Sequence, residues 1–427
     1  MRLAVKRMRS SVKQLFKTGF FSVFCSNVLC KILTFIGGMI IVRVMSKEDY
    51  GTYSYILNCF GMLTLLNDLG CNAAVTQFCS ENYNNPEKFN GYYTYGVKKG
   101  MLFTAITFGL ILFSDWFYPF QDETAVSLTR CLCLVPFISV ANAFLLSNLR
   151  VRLENNKYAV VNVFTTVIHY LVILPMAYCM GIRGAIFSNY IINLSVFVFS
   201  MMLSRKLICF DWKANVLNKS EKKSFLRQAI GSQLNDGISH ALVLLDIFLI
   251  GIFVGENTVI SSYKVGSAIP SALAFIPQSI MIYVVPYFAR NIKNTDWVRK
   301  NYMRLIGVCV VLNFIIVAGG ILIGPWMIPW MFGSQYADSV TCYTILLIGY
   351  FFSGALRIPT ANVLYTQHKV RVNIMIIIVT GIANCVLDVF LILKYGSIGA
   401  AVATMLVQIL GAVLNCGYMY FYMRGKR

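Results

Sequence analysis

Residues 31–77 read KILTFIGGMIIVRVMSKEDYGTYSYILNCFGMLTLLNDLGCNAAVTQ and hold two apolar segments joined by a short polar turn. A lysine, Lys31, lies inside the first segment, and an aspartate, Asp68, lies inside the second. A charge at the centre of a membrane helix costs about 2.5–3.5 kcal/mol on insertion scales, so such charges usually mark a transport pathway or an ion pair. This hairpin therefore predicts a membrane protein with charged side chains inside its helices.

The composition agrees with this prediction. The chain is 58% hydrophobic and 13% charged, with a mean hydropathy of +0.67, whereas soluble domains are about 25% charged. A run of about 20 apolar residues crosses the hydrocarbon core of a bilayer. The sequence predicts an all-α integral membrane protein. Its twelve predicted spans start near residues 19, 53, 93, 124, 158, 183, 228, 258, 303, 338, 371 and 396.

The net charge of +20 follows the membrane topology and indicates no nucleic-acid partner. Most of the 37 Lys and Arg fall in alternate loops, which the positive-inside rule assigns to the cytoplasm. This places both termini in the cytoplasm and favours contact with anionic membrane lipids. The 13 cysteines are scattered without metal-ligand spacing, so no metal site is predicted. We find no phosphate-binding loop or nucleophile motif, and we expect no catalytic residue and no bound cofactor.

A short repeat relates the two halves of the chain. Residues 181–185 read GIRGA between spans 5 and 6, and residues 396–400 read GSIGA between spans 11 and 12. Internal repeats of this kind are typical of transporters. Since six spans is an even number, the two halves have the same orientation. We predict two six-helix lobes, residues 1–213 and 214–427, related by a parallel pseudo-two-fold repeat.

Polar residues recur at helical spacing in spans 1, 2, 7 and 8, the first two spans of each half. Such spacing places each set on one helix face, and we expect these faces to line a central cavity. For the smaller polar residues, such as Ser and Thr, an alternative interpretation stays open, in which they serve packing between helices and do not line a cavity. The candidate residues in these spans are Asn27, Lys31, Asp68, Asn72, Asp236, Asp246, Lys264 and Gln278.

Each half also holds a lysine and an aspartate at similar depth. Lys31 and Asp68 lie near the middle of spans 1 and 2, and Asp246 and Lys264 lie in the outer third of spans 7 and 8. This predicts one Lys–Asp pair in each half. Two interpretations stay open: a structural salt bridge, or a cation that binds an anionic cargo when its carboxylate partner releases it.

Two stretches of the first hairpin resemble a known family. Residues 41–57, IVRVMSKEDYGTYSYIL, and residues 66–72, LNDLGCN, resemble the start of Wzx-type polysaccharide flippases. These flippases belong to the multidrug/oligosaccharidyl-lipid/polysaccharide exporter superfamily. Met45 replaces the leucine that is usual in the family's turn. The matching residues are Arg43, Ser46, Glu48, Tyr50, Gly51, Asp68 and Gly70.

The resemblance implies a cargo and its partners. In such a flippase, helices 1, 2, 7 and 8 line a central cavity between two lobes. The cargo is an undecaprenyl-pyrophosphate-linked oligosaccharide moved to the outer leaflet of the bacterial plasma membrane for O-antigen, lipopolysaccharide or capsule synthesis. Cavity cations would bind the pyrophosphate; Lys31 and Lys264 match by helix and face, and Arg357 in span 10 is a third candidate. The implied protein partners are a polysaccharide polymerase and a chain-length regulator.

Alternative functions make different demands on the sequence. A drug/cation antiporter of the same superfamily would need a carboxylate in span 1, where this chain has Lys31. A membrane polysaccharide polymerase or ligase would need a long outer loop with catalytic Arg or His, and the longest here, near residues 115–123, is short. The driving force is left open between a proton gradient, a sodium gradient and the membrane potential. Asp388 and His169 are the candidate coupling residues.

Overall fold

A computed structural model describes residues 20–113, 123–205, 217–292 and 294–424 of the chain. The described residues are mostly helical and contain no strand. The α-helices are α1 Phe20–Val44, α2 Lys47–Leu63, α3 Cys71–Glu81, α4 Pro86–Leu112, α5 Glu123–Arg130, α6 Val135–Val151, α7 Asn155–Ser204, α8 Lys219–Phe253, α9 Asn257–Leu273, α10 Phe275–Arg290, α11 Thr295–Phe332, α12 Ser339–Phe352, α13 Ile358–Thr366 and α14 Val370–Arg424.

The chain divides into two compact units. Unit one comprises Met1–Asp49 and Ile56–Leu244, and unit two comprises Tyr50–Tyr55 and Leu245–Arg427. A buried cluster around Phe144 and Phe225 forms a core in unit one, and one around Tyr302 and Met419 forms a core in unit two. The predicted boundary between residues 213 and 214 lies outside the described residues.

The helices suit a bilayer in length and surface. Seven described helices are long and apolar enough to cross a membrane, and the bent pair Thr124–Arg130 and Val135–Val151 brings the number to eight. Helix α11 exposes large aliphatic and aromatic side chains along its length, among them Val308, Val311, Phe314, Ile315 and Leu322. Water would disfavour such a surface, whereas lipid tails cover it at no cost. The chain is therefore a multi-pass membrane protein, and the predicted all-α class is confirmed.

Helices α7 and α14 each fold back on themselves at a glycine. Gly181 and Gly396 both have φ of +57°, outside the helical region. A Cβ on Gly184 would lie 2.0 Å from the carbonyl oxygen of Met176, although residues eight apart in a straight helix are about 12 Å apart. Gly399 has the same relation, 2.0 Å, to the carbonyl oxygen of Leu391. The GxxGA pattern therefore makes the same tight reversal at both places.

The turn between α1 and α2 depends on two residues of the quoted hairpin. The Ser46 side chain accepts a hydrogen bond of 3.1 Å from the Asp49 backbone N–H and so caps α2. A Cβ on Gly51 would lie 1.8 Å from the carbonyl oxygen of Asn257. Only glycine permits this close approach of the two backbones. These motif residues therefore have structural roles.

The second predicted span is interrupted. Helix α2 ends at Leu63, and a 3₁₀ turn, Thr64–Leu66, precedes two residues with positive φ before α3 begins. These are Leu69, with φ of +45°, and Gly70, with φ of +73°. A Cβ on Gly70 would also lie 2.2 Å from the carbonyl oxygen of Ala229. The prediction of one continuous helix here is wrong, because the backbone of Asn67, with ψ of 173°, leaves the helical region and Leu69 and Gly70 then adopt left-handed conformations before α3 begins.

Candidate functional site

Helix α1 has two exposed faces of opposite character. Its exposed polar residues are Asn27, Lys31 and Thr34, and its exposed apolar residues are Leu29, Ile32, Ile36 and Ile40. At about 100° per residue, the two sets point in directions roughly 180° apart. The helix can therefore face lipid on one side and present Lys31 to an aqueous pathway on the other.

Lys31 has no carboxylate partner in the part of the chain that the structure describes. Asp68 instead caps α3, where its Oδ2 accepts a hydrogen bond of 2.7 Å from the backbone N–H of Asn72. The predicted Lys31–Asp68 pair is therefore wrong. The break between α2 and α3 is the physical reason, because it turns the carboxylate towards the N–H groups at the start of α3.

Two other candidates of unit one are held by packing. The side-chain oxygen of Asn72 accepts a hydrogen bond of 2.5 Å from the Ser147 hydroxyl and so joins α3 to α6. His169 lies edge-on against the ring of Tyr170, with centroids 4.8 Å apart. Its ring forms no hydrogen bond with any residue that the structure describes, and a coupling role for it stays an untested prediction. The side chain of Asp236 lies outside the described residues.

Asp246 lies at the centre of a buried polar cluster in unit two. Its Oδ2 accepts hydrogen bonds from the Tyr263 hydroxyl and, at 2.9 Å, from the Thr404 hydroxyl. Its Oδ1 lies 3.5 Å from the Asn384 amide nitrogen, which also donates to Asp388. The Asn384 amide therefore lies between the two carboxyl groups. We call these five residues, from α8, α9 and both arms of α14, the carboxylate cluster.

The chemistry of the carboxylate cluster follows from its burial. Asp388 is 0% exposed and Asp246 is 9% exposed, and no described basic side chain forms an ion pair with either. Two bare carboxylates buried close together repel each other, which favours protonation of one of them or binding of a cation. One carboxylate oxygen of Asp388 is buried without a hydrogen-bond partner among the described residues. The cluster is therefore a candidate site for a proton or another small cation.

The predicted Lys264–Asp246 pair is also wrong. The neighbouring residue, Tyr263, points into the carboxylate cluster, whereas Lys264 is exposed on α9. Successive residues of a helix point about 100° apart, so the two side chains face different surroundings. Like Lys31, Lys264 lacks a carboxylate partner within the described ranges. Gln278 is likewise exposed, on α10.

Arg357 is the last residue of a short π-helical segment, Ser353–Arg357, between α12 and α13. Its Nη1 donates a hydrogen bond of 2.8 Å to the side-chain oxygen of Gln408. A Cβ on Gly411 would lie 3.1 Å from the Arg357 side chain, so a glycine makes room for it. No ion pair neutralises this guanidinium among the residues described. Single-turn π segments are frequent at functional sites.

Sequence reasoning missed three partners of the candidate residues: Tyr263, Thr404 and Gln408. The spacing of Asn384 and Asp388, four residues apart, was a visible signal that both lie on one face of α14. Thr404 had no such signal, since its contact with Asp246 depends on the reversal of α14 at Gly396.

A family model described as "Polysaccharide biosynthesis protein" matches residues 40–341, which is well over half of the chain. The chain belongs to this polysaccharide biosynthesis family. Curated relatives agree. A putative O-antigen transporter from Shigella flexneri is 21% identical over 389 residues, which cover 88% of this chain and 90% of the relative. The capsular polysaccharide biosynthesis protein CapF from Staphylococcus aureus is 23% identical over 421 residues, covering 94% and 98% of the two chains.

Solved structures show the fold of this polysaccharide biosynthesis protein. An inward-facing multidrug resistance MATE family transporter of the MOP superfamily aligns with a TM-score of 0.72 and 13% identity, covering 93% of this chain and 95% of that one. The lipid II flippase MurJ in an inward closed conformation aligns with a TM-score of 0.73 and 14% identity, covering 93% and 87%. The two scores are nearly equal, so the fold places the chain in this structural class and does not separate a drug exporter from a flippase.

The family match includes Asp68, Asp246 and Lys264 and excludes Lys31, Arg357 and Asp388. Membership of the polysaccharide biosynthesis family therefore gives no information about Lys31, Arg357 and Asp388. Their roles rest on their surroundings in the structure: exposure without a partner for Lys31 and Lys264, and a buried shared site for Asp246 and Asp388.

Proposed function

We propose that this protein flips undecaprenyl-pyrophosphate-linked oligosaccharide repeat units from the cytoplasmic to the outer leaflet of the bacterial plasma membrane. The observation that carries the proposal is the state of Lys31 and Lys264. Each is an exposed cation in a membrane-spanning helix, and neither has a carboxylate partner among the described residues. An intramembrane cation is costly unless an anion or water surrounds it, and a pyrophosphate supplies the missing negative charge.

The proposed architecture has twelve spans in two six-helix lobes, with both termini cytoplasmic. The fold-back of α7 and of α14 supports it, because each of these helices then supplies two antiparallel spans. The interrupted segment α2–α3 and helix α8 complete the proposed set. In each unit an exposed lysine, Lys31 on α1 or Lys264 on α9, offers the polar headgroup a charged contact while the undecaprenyl tail stays in the bilayer.

The proposed driving force is a cation that binds the carboxylate cluster. Asp246 and Asp388 with Thr404 and Tyr263 offer the oxygen-rich, low-dielectric surroundings that favour a proton or Na⁺ over a neutral occupant. Binding there would compensate two buried negative charges. A conformation that exposes the cluster to one side of the membrane would release the cation on that side.

A drug/cation antiporter is the second candidate, and the MATE-like fold is the observation that favours it. Lys31 argues against it, because a cationic drug would be repelled by a cation on the accessible face of α1. A polymerase or ligase would form or break glycosidic bonds, and we propose transport without bond chemistry. We further propose that membrane lipids surround the protein and that a polymerase and a chain-length regulator act on its product.

Gene deletion with complementation tests the proposed function. Deletion should abolish surface polysaccharide and leave lipid-linked repeat units on the inner leaflet, and the wild-type gene should reverse both effects. Lys31→Ala and Lys264→Ala should fail to complement at a matched protein level, whereas Lys394→Ala, an exposed control at an outer turn, should complement fully. Normal surface polysaccharide after deletion, with altered sensitivity to cationic dyes, would establish the antiporter instead.

A further inference from the structure

Two tyrosines in the second half of α10 form an exposed pair. Tyr283 is 69% exposed and Tyr287 is 46% exposed. Their rings lie one helical turn apart, with centroids 5.2 Å apart and planes tilted by 49°. Their hydroxyl groups are hydrogen-bonded to each other at 3.1 Å. One face of the helix thus presents two adjacent aromatic surfaces with their polar groups joined at one edge.

The backbone beside this pair offers a further polar group. Pro286 lies within α10 and is exposed. Because proline has no backbone N–H, the carbonyl of Ile282 lacks the donor that it would normally have four residues later. This carbonyl lies next to Tyr283 in the chain and can accept a hydrogen bond from a ligand. Gln278, one turn before Ile282, is also exposed and can both donate and accept.

We propose that Tyr283 and Tyr287 bind a sugar ring of the cargo, with the ring's C–H face against the aromatic rings. Its hydroxyl groups would bond to the tyrosine hydroxyls and the Ile282 carbonyl. A pyranose ring has apolar faces and a polar edge, which match two adjacent aromatic faces with a polar edge. The inference rests on the proposed function, because that function supplies the carbohydrate.

The surroundings of another exposed aromatic pair show what distinguishes this one. Tyr420 is 61% exposed near the end of α14, beside Phe421. It follows Leu406 and Val413, both exposed, at steps of seven residues, so it continues an apolar stripe. Its hydroxyl bonds to no residue that the structure describes, and its ring meets Phe421 edge-on at 5.7 Å and 74°. This is the arrangement of an aromatic residue at a membrane interface.

The position of the tyrosine pair fits a first contact with the cargo. The α10 helix ends at Arg290, and the proposed topology places that end on the cytoplasmic side, where the lipid-linked oligosaccharide is made. A sugar-binding platform there would hold the oligosaccharide on the cytoplasmic side of unit two while the pyrophosphate moves towards Lys264, which lies earlier in the same span. An interfacial anchor at the same place would contact lipid headgroups instead.

Paired substitutions test the inference. Tyr283→Leu with Tyr287→Leu should lower surface polysaccharide about tenfold at matched protein level, the scale expected when two aromatic contacts are lost. Tryptophan at both positions should restore most of it. The control, Tyr420→Leu with Phe421→Leu, should stay near wild type. If cells with Tyr283→Leu and Tyr287→Leu export polysaccharide normally while cells with Lys31→Ala do not, the proposed sugar site is refuted and the proposed flippase function is retained.

Photo-cross-linking distinguishes a sugar from a lipid headgroup. p-Benzoylphenylalanine is placed at position 283 or at position 420, and membranes containing the cell's own radiolabelled lipid-linked oligosaccharide are irradiated. We expect a labelled adduct at position 283 that retains its sugar after mild acid cleaves the pyrophosphate, and none at position 420. Capture of phospholipid alone at position 283 would overturn the proposal. If neither deletion of the gene nor any variant changes surface polysaccharide, the proposed function and the platform both fail.

Discussion

The two units use charged residues inside the membrane in different ways. In unit one, Lys31 is exposed without a carboxylate partner and Asp68 caps a helix. In unit two, Asp246 and Asp388 are buried on either side of the Asn384 amide. An exposed cation suits a large anionic ligand that arrives from an aqueous pathway, whereas a closed pair of acids suits a small cation. We infer that the two units, which share the same helix reversal, bind different ligands: an anion in unit one and a small cation in unit two.

The backbone shows what the two units share. The reversals at Gly181 and Gly396 have the same φ and the same close approach to a carbonyl eight residues before the second glycine. These positions are set by backbone geometry, which tolerates few side chains. The polar residues between the helices are free of that restriction and can diverge.

The largest expected effect comes from the carboxylate cluster. Asp388→Asn keeps the side-chain shape and removes a charge, so cation binding should fail while the helices stay packed. We expect transport to fall by more than tenfold. Asp296→Asn, an exposed aspartate at the start of α11, is the matched control and should be silent. Surface polysaccharide at equal protein level measures both. Full export by Asp388→Asn would contradict the assignment of cation binding to unit two.

The next effect concerns Lys31. Lys31→Ala should abolish export, and the double variant with Asp68→Asn should stay inactive, because Asp68 caps α3 and does not neutralise the lysine. Lys31→Arg should retain part of the activity, since it keeps the charge with a different shape. Complementation of surface polysaccharide checks all three. Recovery of export in the double variant would contradict this prediction and support a structural salt bridge between Lys31 and Asp68.

The shared reversals predict equal stability losses in the two units. Gly184→Ala and Gly399→Ala each place a Cβ 2.0 Å from a carbonyl oxygen, and overpacking of this kind costs about 1–3 kcal/mol. Both should lower the unfolding temperature in detergent by similar amounts. Gly109→Ala and Gly417→Ala, which meet open space within helices, should be neutral or slightly stabilising. Unequal losses at positions 184 and 399 would show that the two reversals differ in structural importance.

The smallest effect lies at the start of α8. Glu221 accepts a 2.8 Å hydrogen bond from Lys88 of α4, and this bond holds the pKa of the Glu221 carboxyl below its ordinary value. Stabilisation from a lowered carboxyl pKa is present at neutral pH and lost as the pH falls through that pKa. Glu221→Gln should therefore unfold at a slightly lower temperature than wild type at pH 7. The two should coincide in acid.

Glu87→Gln is the matched control for this pair, since Glu87 lies exposed in the first turn of α4. It should behave as wild type at both pH values. A difference between Glu221→Gln and wild type that persists unchanged in acid would assign the effect to packing of α8 and not to the ion pair.

Much of the fold follows from sequence because hydrophobic length and the GxxGA pattern are local features. The reversals at Gly181 and Gly396 occur where the repeated pattern predicted breaks between spans. The failure at residues 64–70 has an equally local cause: Leu69 adopts a left-handed conformation that leucine rarely adopts. The flanking Asn67, Asp68 and Gly70 are turn-forming residue types, but they do not indicate that the leucine itself takes the left-handed conformation.

The candidate site was harder to predict because partners across helices are not encoded by spacing. The exposed polar face of α1 could be read from steps of three and four residues. Depth alone suggested that Asp246 pairs with Lys264, but its actual partners, Tyr263 and Thr404, lie on a neighbouring helix and on the far arm of α14. A polar side chain selects its partner by three-dimensional packing, which one sequence does not reveal.

The reversal at Gly181 also bears on how this protein can be engineered. Two helical stretches meet there with a single non-helical residue between them. The bend therefore contains no extended segment that a protease could bind and cleave, and no flexible residues that could accommodate an inserted tag. A reporter inserted at that bend would pull apart the close backbone contact at Gly184. Residues 255 and 256, exposed between α8 and α9, provide a more permissive point of entry.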